Sequence, residues 1–263
     1  MNEQIRSALT IAGSDSSSGA GIAVDLKTFA AFRVHGLTAI TAVTAQTASR
    51  VLAVHHLPAA QVRMQIQAAF AEFRVGAIKI GMLGTAPIAR VVAQSLRIAP
   101  STPVVLDPVL ASSSAAALLS ASGLRVLRKE LLPLASLLTP NLPEAEILLG
   151  HRIKDPARAA LDLRELGAGA VLLKGGHGRG REVRDILVDT NGVVEYRHPR
   201  LPIRARGTGC ALASAIAAGL ARGQELRLAV ANAEIFLQDA LAHNYRSGAG
   251  NTRLPDLNGR TRD

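Results

Sequence analysis

The feature that most restricts the fold is a repeated alternation of short apolar runs with segments of helical period. Residues 8–12 form an apolar run that stops at Gly13, and residues 21–31 then place Ile22, Leu26, Phe29 and Ala30 on one helical face. Further strand-like runs lie at 36–45, 77–81, 103–106, 137–138 and 170–173. Between them are helical patterns from Pro58 (Val62, Ile66, Ala69, Phe70, Phe73) and over 88–96, 118–132, 143–149 and 156–166. Residues 186–189 and 193–197 flank Thr190-Asn191-Gly192, a hairpin signal. Ala-rich helices are expected at 210–222 and 226–244, and the Gly/Pro/Arg-rich tail, 246–263, reads as irregular. This alternation implies an α/β fold, with a mostly parallel sheet covered by helices on both faces. No linker, composition shift or 20–50-residue repeat divides the chain, so residues 1–263 are read as a single domain.

Composition narrows the class. A chain 48% hydrophobic and 19% charged is not disordered. Its single cysteine, Cys210, excludes an internal disulfide, and no Cys/His group has zinc-finger spacing. No apolar stretch reaches the roughly 18 residues of a membrane helix, and the N-terminus does not read as a signal peptide, so a cytoplasmic protein without a membrane partner is expected. The net charge of +10 favours anionic partners. Scattered arginines, clustered only at 179–184 and 197–206, and an aromatic content of 3% argue for phosphorylated small molecules over nucleic acid.

Ligands of parallel sheets bind beyond the carboxyl ends of the strands, so the loops after strands carry the functional information. The first is Gly13-Ser14-Asp15-Ser16-Ser17-Ser18-Gly19-Ala20-Gly21, leading into a helix with Asp25 and Lys27; it allows close backbone approach and offers free N–H donors. It lacks the Gly-Lys-Ser/Thr of a P-loop. The second, Asp107-Pro108-Val109, puts an acid where it can hold a metal, orient a phosphate or cap a turn. In the third, Thr139-Pro140-Asn141-Leu142-Pro143-Glu144, Asn141 and Glu144 are hard oxygen ligands suited to magnesium and equally a helix capping box. The fourth, Gly207-Thr208-Gly209-Cys210, enters an Ala-rich helix; consecutive N–H groups there form a nest for a phosphoryl group in flight. The same dipole is expected to hold the Cys210 thiol below about 8.5; the alternative is an inert buried cysteine. Lys174-Gly175-Gly176-His177 adds a lysine at one more strand end, for nucleotide phosphates or simply for solvent.

Seven stretches, ALTIAGSDSSSGAGIAVDLKTF, GLTAITAVTAQT, IKIGMLGT, VVLDPVL, LLTPNLPEAEILLG, AVLLKGGH and GTGCALASAIAAGLARG, in this order and spacing, resemble the hydroxymethylpyrimidine/phosphomethylpyrimidine kinases of thiamine biosynthesis, within the ribokinase superfamily. The resemblance runs from about residue 8 to about residue 240. It implies a ribokinase-like three-layer α/β/α sandwich. It implies transfer of the γ-phosphoryl group of ATP, with magnesium, to the hydroxymethyl group of 4-amino-5-hydroxymethyl-2-methylpyrimidine and then to its monophosphate. By matching position, Gln46 would bond the pyrimidine edge, with Gly13, Asp25, Met82 and Val109 completing the pocket. Asp107 and Glu144 would organise magnesium, with Asn141. Lys174, Asn141 and Thr208 would contact ATP. Gly207, Thr208, Gly209 and Cys210 would form the anion hole, with Cys210 as base for the substrate hydroxyl. Relatives of this kind often form homodimers.

The chain departs from the family pattern at Ser18, where glycine is preferred, at Ala23-Val24, and at Ser113-Ser114-Ala115-Ala116. Further departures are Arg204-Ala205-Arg206 before the anion hole and Thr44 beside Gln46. The lid changes are expected to remove polar groups around the substrate, and Thr44 to add one at the pyrimidine pocket. They leave a pyridoxal-type vitamin kinase, or a catalytically weak ligand-binding homologue, as alternatives. A nucleic-acid binder would rest on net charge alone and predicts steep salt dependence.

Overall fold

A computed structural model describes residues 5–48, 50–111, 118–176, 180–247 and 250–258. The core is a parallel sheet built from β1 (Ser7–Asp15), β2 (His35–Gln46), β4 (Val75–Ile80), β5 (Val104–Leu106), β6 (Leu137–Leu138) and β7 (Val171–Leu173). Antiparallel strands flank it: β3 (Val51–His56) beside β2, and the hairpin β8 (Glu182–Asp189) and β9 (Gly192–Pro199) beside β7. The strand order is β3-β2-β1-β4-β5-β6-β7-β8-β9. One face carries α2 (Ala59–Glu72), α3 (Ala86–Leu96), α4 (Ala121–Val126), α5 (Leu142–Leu149) and α6 (Pro156–Glu165); the other carries α1 (Gly21–Ala31), α7 (Thr208–Ala221) and α8 (Leu226–Ala242).

The strand period of two explains this division. In β4, Ile78 and Ile80 pack under α2 and α3, while Ala77 packs under α7. The residue between Ile78 and Ile80 is Lys79, which therefore points into the α1–α7 layer. Small side chains make that layer possible: α7 buries Ala211, Ala213, Ala215, Ala217 and Ala218 against the sheet and α8. The parallel strands all end on one edge, which gathers the loops singled out by sequence.

Three segments differ from expectation. Residues 118–132 are not one helix: α4 is capped by Ser120, whose hydroxyl accepts the Gly123 N–H, and it passes into a π-helical turn, Leu127–Leu131, and a 3₁₀ turn, Leu132–Leu134. Pro133 lacks the N–H that a continuing helix needs. Strand β3 has no apolar–polar alternation because it is an edge strand with most residues exposed. The tail is not wholly irregular: β10 (Tyr245–Arg246) pairs with β11 (Arg253–Leu254), and Leu254 and Leu257 are buried. His177 and the Ser113-Ser114-Ala115-Ala116 segment lie outside the described residues.

Candidate active site

A cavity of about 300 Å³ lies at the carboxyl edge of the parallel strands. That size suits one substituted ring. Strand β1 reaches it through a bulge between Ala12 and Ser14, which leaves Gly13 against the cavity. A side chain at Gly13 would come within 3.2 Å of the Met82 sulfur. Gly21 takes φ +59, and a Cβ there would strike the Gly13 carbonyl. Ser18 takes φ +54, the left-handed conformation that favours glycine, which accounts physically for glycine as the preferred residue at this turn. Val109, another wall residue, is held at φ +38, an outlier for a β-branched side chain.

Two helices start at this cavity without side-chain caps. Helix α1 has Ala20 at its N-cap, and α7 has Gly207, in the left-handed conformation at φ +79. Their first-turn N–H groups and dipoles make the cavity attractive to anions. Gly207 has no room for a side chain, since a Cβ would meet the Gly19 carbonyl. Thr208, Gly209 and Cys210 continue the first turn of α7 along the wall. Opposite Gly209 stands Lys174: a Cβ at 209 would lie 3.1 Å from its Nζ and 3.8 Å from Asp107 Oδ2. Lys174 Nζ donates to Asp107 Oδ1 at 3.0 Å. Burial works against the lysine charge, but Asp107 and then Glu144 hold its pKa above the ordinary value.

Asn141 and Glu144 form the capping box of α5. The Asn141 side chain accepts the Glu144 N–H and Glu144 Oε2 accepts the Asn141 N–H, both at 2.9 Å. Both residues also line the cavity. Burial raises the Glu144 pKa; Lys174 opposes the rise and Asp107 adds to it. The donors Asp107 and Glu144 are hard oxygens. Asp107 Oδ2 makes no bond to a described residue and faces the α7 turn. This set fits a magnesium ion held in part through water.

Two expectations are corrected here. Asp25 does not line the pocket. It is fully buried behind it, where Thr10 Oγ1 (2.6 Å), Ser214 Oγ (2.7 Å) and Lys79 Nζ (3.0 Å to each oxygen) converge on its carboxylate. The Cys210 thiol is not lowered by the helix dipole. Burial pushes it up to about 11, against the opposing Lys79 charge and with the Asp25 and Asp107 charges adding. Cys210 remains partly open to the cavity, so it is not sealed in the interior either.

Gln46 lines the cavity, while its main chain bonds the Ser16 hydroxyl. Thr44 adds little free polarity, because its hydroxyl donates to the Ser14 carbonyl at 2.9 Å. Nor do the departures before the anion hole strip it of polar contacts: Arg206 pairs with Asp15 at 3.2 Å and donates to the Thr47 and Ala48 carbonyls at 2.9 Å, strapping three loops together. Lys79 and Arg206 are site-shaping residues that motif reading missed. The signal for Lys79 is a charge inside the otherwise apolar run VGAIKI. Beside the cavity, past Asn141-Leu142 and Lys174-Gly175, a second cavity of about 670 Å³ is lined by Leu142, Gly175, Arg181, Arg184, Ile186 and Arg200.

Residues 15–254 match the family described as phosphomethylpyrimidine kinase. The chain belongs to that family. It is thus a phosphotransferase. It is 43% identical to a hydroxymethylpyrimidine/phosphomethylpyrimidine kinase of Rhizobium meliloti, over 94% of this chain and 95% of the relative. Among solved structures, a phosphomethylpyrimidine kinase of Clostridium difficile superposes with a TM-score of 0.80 at 39% identity, covering 90% and 99% of the two chains. A pyridoxal kinase from Staphylococcus aureus, solved in complex with AMP-PCP, gives a TM-score of 0.89 at 29% identity, covering 99% and 96%. These phosphomethylpyrimidine kinase and pyridoxal kinase neighbours share the three-layer α/β/α architecture of this chain.

Proposed function

We propose that the protein transfers the γ-phosphoryl group of ATP to the hydroxymethyl group of an aminopyrimidine in thiamine biosynthesis, and then phosphorylates the resulting monophosphate. The observation that carries this reading is the uncapped first turn of α7 set against the Lys174–Asp107 pair on the wall of a ring-sized cavity. Phosphoryl transfer asks a protein mainly for positioning and charge stabilisation, and this site offers little else. The N–H groups of Thr208, Gly209 and Cys210 receive the charge that spreads over the phosphoryl oxygens. Lys174 and Asn141 hold the ATP phosphates. The nucleoside lies along the neighbouring groove past Gly175. Asp107 and Glu144 would hold magnesium, which would supply charge neutralisation to the phosphates. Gln46 bonds the pyrimidine edge, against Gly13, Met82 and Val109.

A thiol pushed up to about 11 is not a preformed base. The substrate hydroxyl therefore loses its proton late, as a loose transition state allows, and Cys210 accepts it only in its minor thiolate form. A loss of about 10²–10⁴-fold in kcat for Cys210→Ala, with KM little changed, supports that role; an unchanged kcat removes it.

The deciding experiment is product analysis with ATP, magnesium and the free aminopyrimidine alcohol, run beside pyridoxal. One and then two phosphates on the pyrimidine support the proposal, and a higher kcat/KM for pyridoxal overturns it. Gln46→Ala should raise KM for the pyrimidine alone. A homodimer through the β3 edge is part of the same reading, because Leu52 and Val54 stand exposed on a strand at the end of the sheet. Leu52→Glu should shift the mass measured by light scattering from dimer to monomer.

A further inference from the structure

Three ionisable side chains outside the kinase cavity meet in the interior between the β8–β9 hairpin and α8. Asp185 pairs with Tyr196 across the hairpin, and His198 stands two residues further along β9, so the two side chains are diagonal neighbours on one face. That face is the α7–α8 side, where Leu187, two residues from Asp185, joins the core. Glu234 comes down onto them from α8. His198 Nε2 lies 3.5 Å from Glu234 Oε2 and 3.8 Å from Asp185 Oδ2. One ligating atom from each residue lies within 4.8 Å of the others.

The surroundings leave the polar atoms of His198 and Glu234 without partners. The Glu234 side chain is 7% exposed, that of Asp185 6% and that of His198 14%. Neither ring nitrogen of His198 and neither oxygen of Glu234 has a hydrogen-bond partner. Among the described residues, no lysine or arginine forms an ion pair with Asp185 or Glu234. Buried polar atoms are normally bonded, so four left unpaired here, with His198 Nε2 and Glu234 Oε2 facing each other, require a cause. Separations of 3.5 and 3.8 Å are too long for hydrogen bonds. They are close to the edge of about 3.4 Å expected between ligands held about 2.0–2.1 Å from one tetrahedral ion.

We propose that Asp185, His198 and Glu234 form a divalent-cation site of the zinc class that ties the β8–β9 hairpin to α8. One imidazole with two carboxylates suits zinc, cobalt(II) or manganese(II) better than magnesium or a soft metal. Three protein ligands leave a position for water. The remaining Asp185 oxygen, Oδ1, accepts the Gly175 N–H at 2.5 Å, so the site braces the residue that follows Lys174. It shares no residue with the Asp107–Glu144 pair.

The test uses metal-stripped full-length protein titrated with cobalt(II) in excess magnesium, read by visible d–d absorption and by bound metal per chain. The wild type should bind one equivalent that zinc displaces. His198→Ala and Glu234→Gln should each weaken that equivalent by about 100-fold or more. Glu234→Gln keeps the shape and removes one of two adjacent carboxyls, so it folds; its circular dichroism checks this. Any cobalt held by Asp107 and Glu144 persists in both variants and is read separately. Absence of cobalt binding by the wild type, or equal binding by wild type and Glu234→Gln, overturns the proposal.

Discussion

Replacing Lys79 by methionine isolates the interaction on which the floor of the cavity rests. Lys79 and Asp25 are both fully buried, and the ammonium is 3.0 Å from each carboxylate oxygen. Burial alone would discharge the lysine, but Asp25 holds its pKa above the ordinary value. Lys79→Met keeps the apolar stem and leaves a buried carboxylate with only the Thr10 and Ser214 hydroxyls as donors. Removing one partner of a buried pair costs about 3–5 kcal/mol. With an unfolding entropy of about 2.1 cal/mol/K per residue, a chain of 263 residues changes by about 0.55 kcal/mol per degree. The melting temperature should therefore drop by about 5–9 °C, read by scanning calorimetry with urea unfolding as the companion measurement. The double variant Asp25→Leu/Lys79→Met leaves no buried charge, only two hydroxyls short of a partner at about 1 kcal/mol each, and should recover about half of the loss. A single-variant loss below about 1 kcal/mol, or a double variant no better than the single, would refute the argument that pairing sustains these buried charges.

Three further outcomes follow from the same geometry. Gly209→Ala places a methyl 3.1 Å from Lys174 Nζ and should lower kcat at least about tenfold with little change in melting temperature; unchanged turnover would mean that the turn does not hold the transferring group. Alkylation of Cys210 by iodoacetamide should be slow at pH 7 and rise toward a midpoint near about 11, since burial disfavours the thiolate; a midpoint below 8.5 would contradict this. Burial and the Asp185 carboxylate push Glu234 up to about 9, from 4.5, so in metal-stripped protein the folded state keeps a proton that the unfolded chain has lost. Stability should fall as pH rises from about 4.5 to about 9, and Glu234→Gln should flatten that slope in urea unfolding.

Much of the cavity edge was legible because its causes are local. A strand that ends in a small or polar turn looks the same in sequence and in space, and parallel pairing then delivers every such turn to one side of the sheet. Gly13, Met82, Asp107, Asn141 and Lys174 meet in the cavity for that reason. The β8–β9 turn is local too: Gly192 at φ +108 closes a hairpin with Thr190 and Asn191 at its tip. The asparagine–glutamate spacing 141–144 is a true capping box, and nothing in a capping box prevents its carboxylate from also facing a ligand.

The layered α/β plan, the sheet edge that carries the cavity and the family are readable from the chain alone, since periodicity and turn chemistry act over a few residues. The states of the charged groups follow from contacts between distant segments. Asp25 belongs to the interior because Lys79, 54 residues away, enters the same small-residue layer. The Cys210 thiol is raised because burial outweighs the helix dipole. Asp185, His198 and Glu234 meet only when α8 closes over the hairpin. Desolvation and charge pairing depend on what fills the surrounding volume, and chain neighbours supply only part of it.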